Sequence, residues 1–234
     1  PRYYDGLGTL HYRLNDRHSI SINLLLADDH TTYSATDDPT LRSVYGSNYI
    51  WGTWHAAFSP RLKAETVVSG GRLSWRRLAA GLLGSVDSIS LDDDRRFDFA
   101  GVRQDWTLLL SERQLIRWGA EARAMGSAYR YRSWRQAPQA IDSTQASLDP
   151  SGSTLGAFLA YRVRPASRVT VELGVRADRQ SYIPQWTLSP RASLAYALAR
   201  RTTLRAAWGY YFQPQQLFQL DVQDGDQRFY RAEL

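Results

Sequence analysis

The sequence predicts an all-β fold: an antiparallel transmembrane β-barrel section of about ten strands, with short periplasmic turns and long extracellular loops. Three observations carry this. Apolar residues recur at every second position through much of the 234-residue chain. The connections alternate between short and long. No apolar run approaches the roughly 18 residues that a membrane helix needs; Leu24 to Ala27 and Ala79 to Leu83 are far too short. A barrel strand shows apolar groups on one face only, so a mean hydropathy of −0.45 suits a membrane wall.

In Thr9 to Leu14 the apolar set is Leu10, Tyr12 and Leu14, with Thr9, His11 and Arg13 on the other face. After the turn Asn15-Asp16-Arg17-His18, the residues Ile20, Ile22, Leu24 and Leu26 alternate with Ser19, Ser21, Asn23 and Leu25, so the two runs form a hairpin. Val169 to Asp178 and Leu204 to Tyr211 alternate most cleanly. Further strands are placed near Asn48 to Phe58, Leu62 to Ser74, Phe97 to Ser111, Gln114 to Tyr129, Thr154 to Val163 and Leu188 to Leu198. Within Leu62 to Ser74, Gly70-Gly71 marks an expected bulge.

Short turns fall at Asn15 to His18, Ser59 to Arg61, Glu112 to Arg113, Arg164 to Ser167 and Ala199 to Arg201. Between them lie longer polar stretches, Asp29 to Ser47, Arg76 to Arg96 and Arg130 to Gly152, with a shorter one at Ser181 to Thr187. A soluble sandwich does not require this short-long order; an outer-membrane barrel does. Tyr45, Tyr49, Trp75, Tyr129, Trp134, Tyr182 and Trp186 sit near strand ends, where interfacial rings are expected.

The other face of the later strands is polar: Arg103, Asp105, Arg117, Glu121, Arg123, Glu172, Arg176, Asp178 and Arg205 are expected to face the lumen or a plug within it. With Glu112-Arg113 at a hairpin end, Arg103 falls opposite Glu121. Among the predicted loops, Arg130, Arg132 and Arg135, with Tyr129, Tyr131 and Trp134, offer planar donors and rings to lipopolysaccharide or to an anionic chelate. The acidic groups Asp28-Asp29-His30, Asp37-Asp38 and Asp92-Asp93-Asp94 match no known cation loop.

Other classes find little support. The net charge of +6 is carried almost wholly by scattered arginines, Lys63 being the only lysine, so no basic stripe for nucleic acid forms. There is no cysteine. The histidines His11, His18, His30 and His55 stand in no nucleophile motif, so neither an enzyme nor a cofactor is expected. The N-terminus has no signal-peptide pattern. The first strand starts, and the last ends, on the long-loop side, so residues 1–234 are expected to be part of a larger barrel without its plug. A further strand is expected from Phe229.

The closing segment carries a more specific pattern. Leu188-Ser189-Pro190-Arg191-Ala192-Ser193-Leu194-Ala195-Tyr196 is followed by Arg201-Thr202-Thr203-Leu204-Arg205-Ala206-Ala207-Trp208-Gly209, then Phe212-Gln213-Pro214 and Arg231-Ala232-Glu233. Order and spacing resemble the barrel of TonB-dependent receptors, with weaker echoes at Tyr49 to Arg61 and Phe97 to Trp118. The resemblance implies a cell outer membrane protein, a barrel of about 22 strands and an N-terminal plug. It further implies small-molecule uptake of an iron-siderophore complex, cobalamin or sugar, driven by the TonB complex through the plug. A passive porin is the alternative; an upstream plug domain would argue against it.

Overall fold

The computed structural model describes residues 1–34, 40–83, 87–138 and 140–212. Asp37-Asp38, Arg231-Ala232-Glu233 and the strand expected from Phe229 lie outside them. Among the described residues eleven antiparallel strands form one sheet: β1 (Arg2–Asn15), β2 (His18–Tyr33), β3 (Thr40–Ala57), β4 (Leu62–Leu83), β5 (Asp87–Ser111), β6 (Gln114–Ala137), β7 (Ala140–Leu148), β8 (Ser151–Ala166), β9 (Val169–Gln180), β10 (Trp186–Ala199) and β11 (Thr202–Gly209). Each strand pairs with its neighbours in sequence, except that β6 pairs with both β7 and β8. Among the described residues β1 and β11 are the two edges.

The eleventh strand is a division of the tenth. Along β6, Ala137 faces Ala140, Tyr129 faces Leu148, Met125 faces Gly152 and Gln114 faces Val163, so one register runs through both β7 and β8. The interruption is Asp149-Pro150, where proline has no N–H to give to a ladder; its carbonyl still accepts from the Ser127 N–H at 2.8 Å. The ten strands expected from the sequence are thus present.

Side chains close the short turns. The Asn15 carboxamide oxygen accepts from the Arg17 N–H at 2.8 Å, the Ser59 hydroxyl from the N–H groups of Arg61 and Leu62, and the Ser111 hydroxyl from Arg113. These bonds are why Asn or Ser occupies the position just before each of these three reversals.

The outward face is apolar and the strands are tilted. On β2 its apolar residues run from Ile20 to Leu26, and on β9 from Val169 to Ala177. The ladder row through Ile20 passes Trp54, Thr66, Gln104, Ala120 and Ala157 to reach Ala177. The bottom of the band on β2 therefore shares a row with its top on β9. A level band that drifts along the rows in this way requires strands inclined to the membrane normal, as in a barrel wall. Towards the short turns the band ends in a chain of rings: His18 stacks on Trp54 (5.8 Å), Phe58 on Trp106 (5.5 Å) and Trp106 on Trp118 (6.0 Å). These rings make the interfacial belt near the short turns; of the rings expected from strand ends, Tyr45, Trp75 and Tyr129 share a row with Arg95 and face inward.

Two further expectations are corrected. The stretches Arg76 to Arg96 and Arg130 to Gly152, read as loops, are largely strand: Leu83 faces Asp87 at the top of β4 and β5, and β6 continues to Ala137. The extension stands above the apolar band, where the outward face carries charge and the inner face mixes charged and aromatic residues, so nothing selects period-two hydrophobicity there. The register of β4 is also continuous through Gly70-Gly71, so there is no bulge. A Cβ on Gly71 would stand 2.7 Å from the Tyr49 ring and 2.8 Å from that of Phe99; the glycine lets those two rings meet, 5.8 Å apart, over the sheet.

Candidate functional site on the inner face

The register places all nine predicted inward residues on the face opposite the apolar band. Arg103 faces Glu121, Glu121 faces Gly156, and Gly156 faces Asp178. One row away, Asp105 faces Gly119, which leads through Phe158 to Arg176. Arg117 and Arg123 lie on the same face of β6, and Arg205 on β11 faces Ala195, which faces Thr170.

Three knots of charge result. Arg176 donates to Glu121 and, through Nε at 3.0 and 2.9 Å, to both oxygens of Asp178. Glu172 accepts from Arg117 at 2.9 Å and from Arg162 at 2.6 Å. Arg103 bonds Asp105 at 2.6 Å. All are partly exposed, so each pair contributes only about 0.2 to 1 kcal/mol. Their larger effect is to hold donors and acceptors of both signs in fixed positions along the inner wall. Asp105 Oδ1 is shielded from solvent and has no hydrogen-bond partner among the described residues. Arg123 lies over the Phe99 ring at 5.5 Å. Arg162 belongs to this set and went unnamed in the sequence, although alternation with the outward Tyr161 marks it.

A second cluster stands on the inner face above the band. Asp93 of β5 is 1% exposed and lies between two arginines, accepting from Arg77 at 2.5 Å and from Arg95 at 2.9 Å. Both guanidiniums pack on the Trp75 ring, at 4.5 and 5.1 Å, and Arg95 also covers the Tyr129 ring at 4.7 Å. Tyr129 is 1% exposed, stacks with Tyr131 and packs against Ala146, Leu91 and Leu148. Its hydroxyl has no hydrogen-bond partner among the described residues. Burial pushes this phenol up to about 12, with Arg95 pulling the other way. One buried carboxylate thus holds two guanidiniums, leaving a net positive charge framed by aromatic rings, a combination suited to a planar anion. The sequence concealed it because Asp92-Asp93-Asp94 reads as loop charge, whereas in a strand Asp93 points inward and its two neighbours outward.

The predicted ligand contacts on β6 divide the same way. Tyr131 and Arg135 share rows with Asp93 and Ile89 on the inner face; Arg130, Arg132 and Trp134 share rows with Asp94, Asp92 and Ser90 on the outer. Asp28 and His30 pair at 2.9 Å, and no group of three or more metal-binding side chains occurs among the described residues. His55 Nδ1 lies 3.3 Å from Glu65 on the inner face near the short turns.

A tilted antiparallel sheet with one apolar face ending in an aromatic belt and one charged face is the wall of an outer-membrane β-barrel. The family described as TonB dependent receptor-like, beta-barrel, matches residues 1–230; the chain belongs to it and is an outer-membrane protein. Similar solved structures include the outer membrane transporter YddB from Escherichia coli (14% identity, TM-score 0.63, 88% of this chain and 31% of that one). FpvA of P. aeruginosa, bound to a heterologous pyoverdine with iron, aligns at 10% identity and TM-score 0.63, over 92% of this chain and 36% of that one. BauA, the ferric preacinetobactin receptor of Acinetobacter baumannii, aligns at 14% identity and TM-score 0.55, over 88% and 39%. The chain therefore spans between 31% and 39% of the length of these structures. No curated protein matches it.

Proposed function

We propose that the chain supplies part of the wall of a TonB-dependent receptor that takes up a scarce nutrient, with an anionic iron chelate as the favoured substrate ahead of cobalamin or a sugar. The observation that carries this reading is the Arg77, Asp93 and Arg95 cluster with Trp75 and Tyr129, set on the inner face above the membrane band, where a substrate entering from outside first meets the wall. Two of the similar structures are a ferric preacinetobactin receptor and a pyoverdine-iron complex, which supports the same substrate class. Lower in the lumen, the knots around Arg176, Glu172 and Arg103 offer fixed ion-pair partners to a plug, the element through which the TonB complex acts in this reading.

The test is uptake of labelled ferric siderophores, cobalamin and sugars by cells producing the full-length protein, with and without a working TonB complex. Uptake of an iron chelate that falls to background without TonB is expected. Uptake that proceeds equally without it would replace this reading by a passive porin.

A further inference from the structure

The short turns carry a charge pattern that the fold does not call for. Each holds at least one exposed arginine: Arg17 between β1 and β2, Arg61 between β3 and β4, Arg113 between β5 and β6, Arg164 and Arg168 at the β8–β9 reversal, and Arg200 and Arg201 between β10 and β11. The carboxylates in these turns are Asp16 and Glu112. None of the turn guanidiniums is in an ion pair among the described residues. The backbone does the structural part. The carbonyls of Arg17, Arg61 and Arg168 accept from the N–H groups of Ala57, Leu109 and Ala197, each at 2.8 Å, and that of Arg113 accepts from Arg164 at 2.9 Å. Every residue has a carbonyl, so these bonds select no guanidinium. Where the wall neutralises its own arginines it supplies the acid, as Glu172 does for Arg117 and Arg162.

Their neighbours set the height of these arginines. Arg61 precedes Leu62, Arg164 follows Val163 and Arg168 precedes Val169, and all three apolar residues belong to the outward face. Arg17 precedes His18, which stacks on Trp54 in the belt. At a rise of about 3.3 Å per residue, the turn arginines therefore lie just beyond the apolar band, where a long side chain bends back to the headgroups. We infer that this row of arginines is a binding site for anionic phospholipid headgroups of the inner leaflet, of the phosphatidylglycerol type. Planar guanidiniums match phosphate oxygens in charge and geometry. Successive turns are two strands apart, about 10 Å, so each takes a headgroup of its own. An acidic periplasmic protein would meet the same charge, but turns this short keep their arginines beside the band, within reach of lipid. The site lies on the membrane wall whatever the receptor transports, so it stands or falls apart from the uptake reading.

The experiment is native mass spectrometry of the full-length protein released from nanodiscs of equal phosphatidylglycerol and phosphatidylethanolamine. Preferential retention of phosphatidylglycerol is expected. Arg164→Gln with Arg168→Gln should cut that preference about tenfold, and so should Arg200→Gln with Arg201→Gln. Both pairs keep their backbone carbonyls and break no ion pair among the described residues, and either gives the readout should the other fail to assemble. A photo-crosslinking benzophenone residue in place of the exposed Ser167, in cells producing the full-length protein, should yield phospholipid adducts. Equal retention of the two lipids, an unchanged preference in the arginine variants, or adducts confined to a periplasmic protein would overturn the inference.

Discussion

Arg103 and Glu121 stand directly opposite each other across β5 and β6, yet each makes its ion pair elsewhere. Arg103 folds along its own strand to Asp105, and Glu121 reaches past β8 to Arg176 on β9. The reach is open because the row from Glu121 to Asp178 passes through Gly156: a Cβ there would stand 2.6 Å from Arg176 Nη2 and 2.7 Å from Asp178 Oδ1.

It follows that a side chain at Gly156 displaces the knot. Gly156→Val is expected to cost about 1 to 3 kcal/mol by overpacking, and Gly8→Val, with open space around its Cβ, close to nothing. Urea midpoints of the two variants in detergent or bilayer give the comparison; equal midpoints would remove the glycine's role.

Adjacent residues on β5 have opposite tolerances. Val102 lies on the apolar face and Arg103 on the charged face, so Val102→Arg should destabilise by about 2 to 4 kcal/mol. Arg103→Gln should cost no more than about 1 kcal/mol, the value of a partly exposed pair. Folding titrations into bilayers measure both, and a reversed order would mean the faces are inverted.

Removing Asp93 leaves Arg77 and Arg95 facing one another over Trp75 with no counter-charge. Asp93→Ala is expected to lose about 3 kcal/mol, and Asp93→Asn to recover part of it by restoring the hydrogen bonds without the charge. Denaturation midpoints decide this; an Asp93→Ala variant as stable as wild type would show that the carboxylate contributes nothing to the wall.

Tyr129 supplies a pH prediction. Its phenol lies above the membrane band and is pushed up to about 12 by burial, so the folded form holds its proton where an unfolded tyrosine, near 10, has lost it. Its stabilising contribution is complete below about pH 10 and declines as pH rises from there through about 12. The 295 nm titration of folded wild type minus Tyr129→Phe should show no tyrosinate signal at pH 10.5 to 11 and one appearing towards 12. A signal centred near 10 would contradict the burial.

The rings of the belt should be visible to a depth probe. Trp54, Trp106 and Trp118 are expected to be quenched more by lipids brominated near the headgroup than by lipids brominated near the chain end. The opposite ranking would move the belt into the hydrocarbon.

What the sequence by itself determined is what one strand settles alone. Within the membrane band a side chain meets either lipid or lumen, so period two names the inward set, from Arg103 to Arg205, without knowledge of any neighbour. The hairpin at Glu112-Arg113 is short enough that its turn fixes the register, and Arg103 opposite Glu121 was legible for that reason. The tertiary structure decided everything that needs a third strand or leaves the band. Above the lipid neither face meets acyl chains, the selection for alternation lapses, and Arg76 to Leu83 and Asp87 to Arg96 read as loop although they are paired strand. The burial of Asp93, the pairing of Glu121 with Arg176 across Gly156, and the separation of Arg130 from Tyr131 each depend on residues far apart in sequence meeting across a sheet. No pattern within one segment records that meeting.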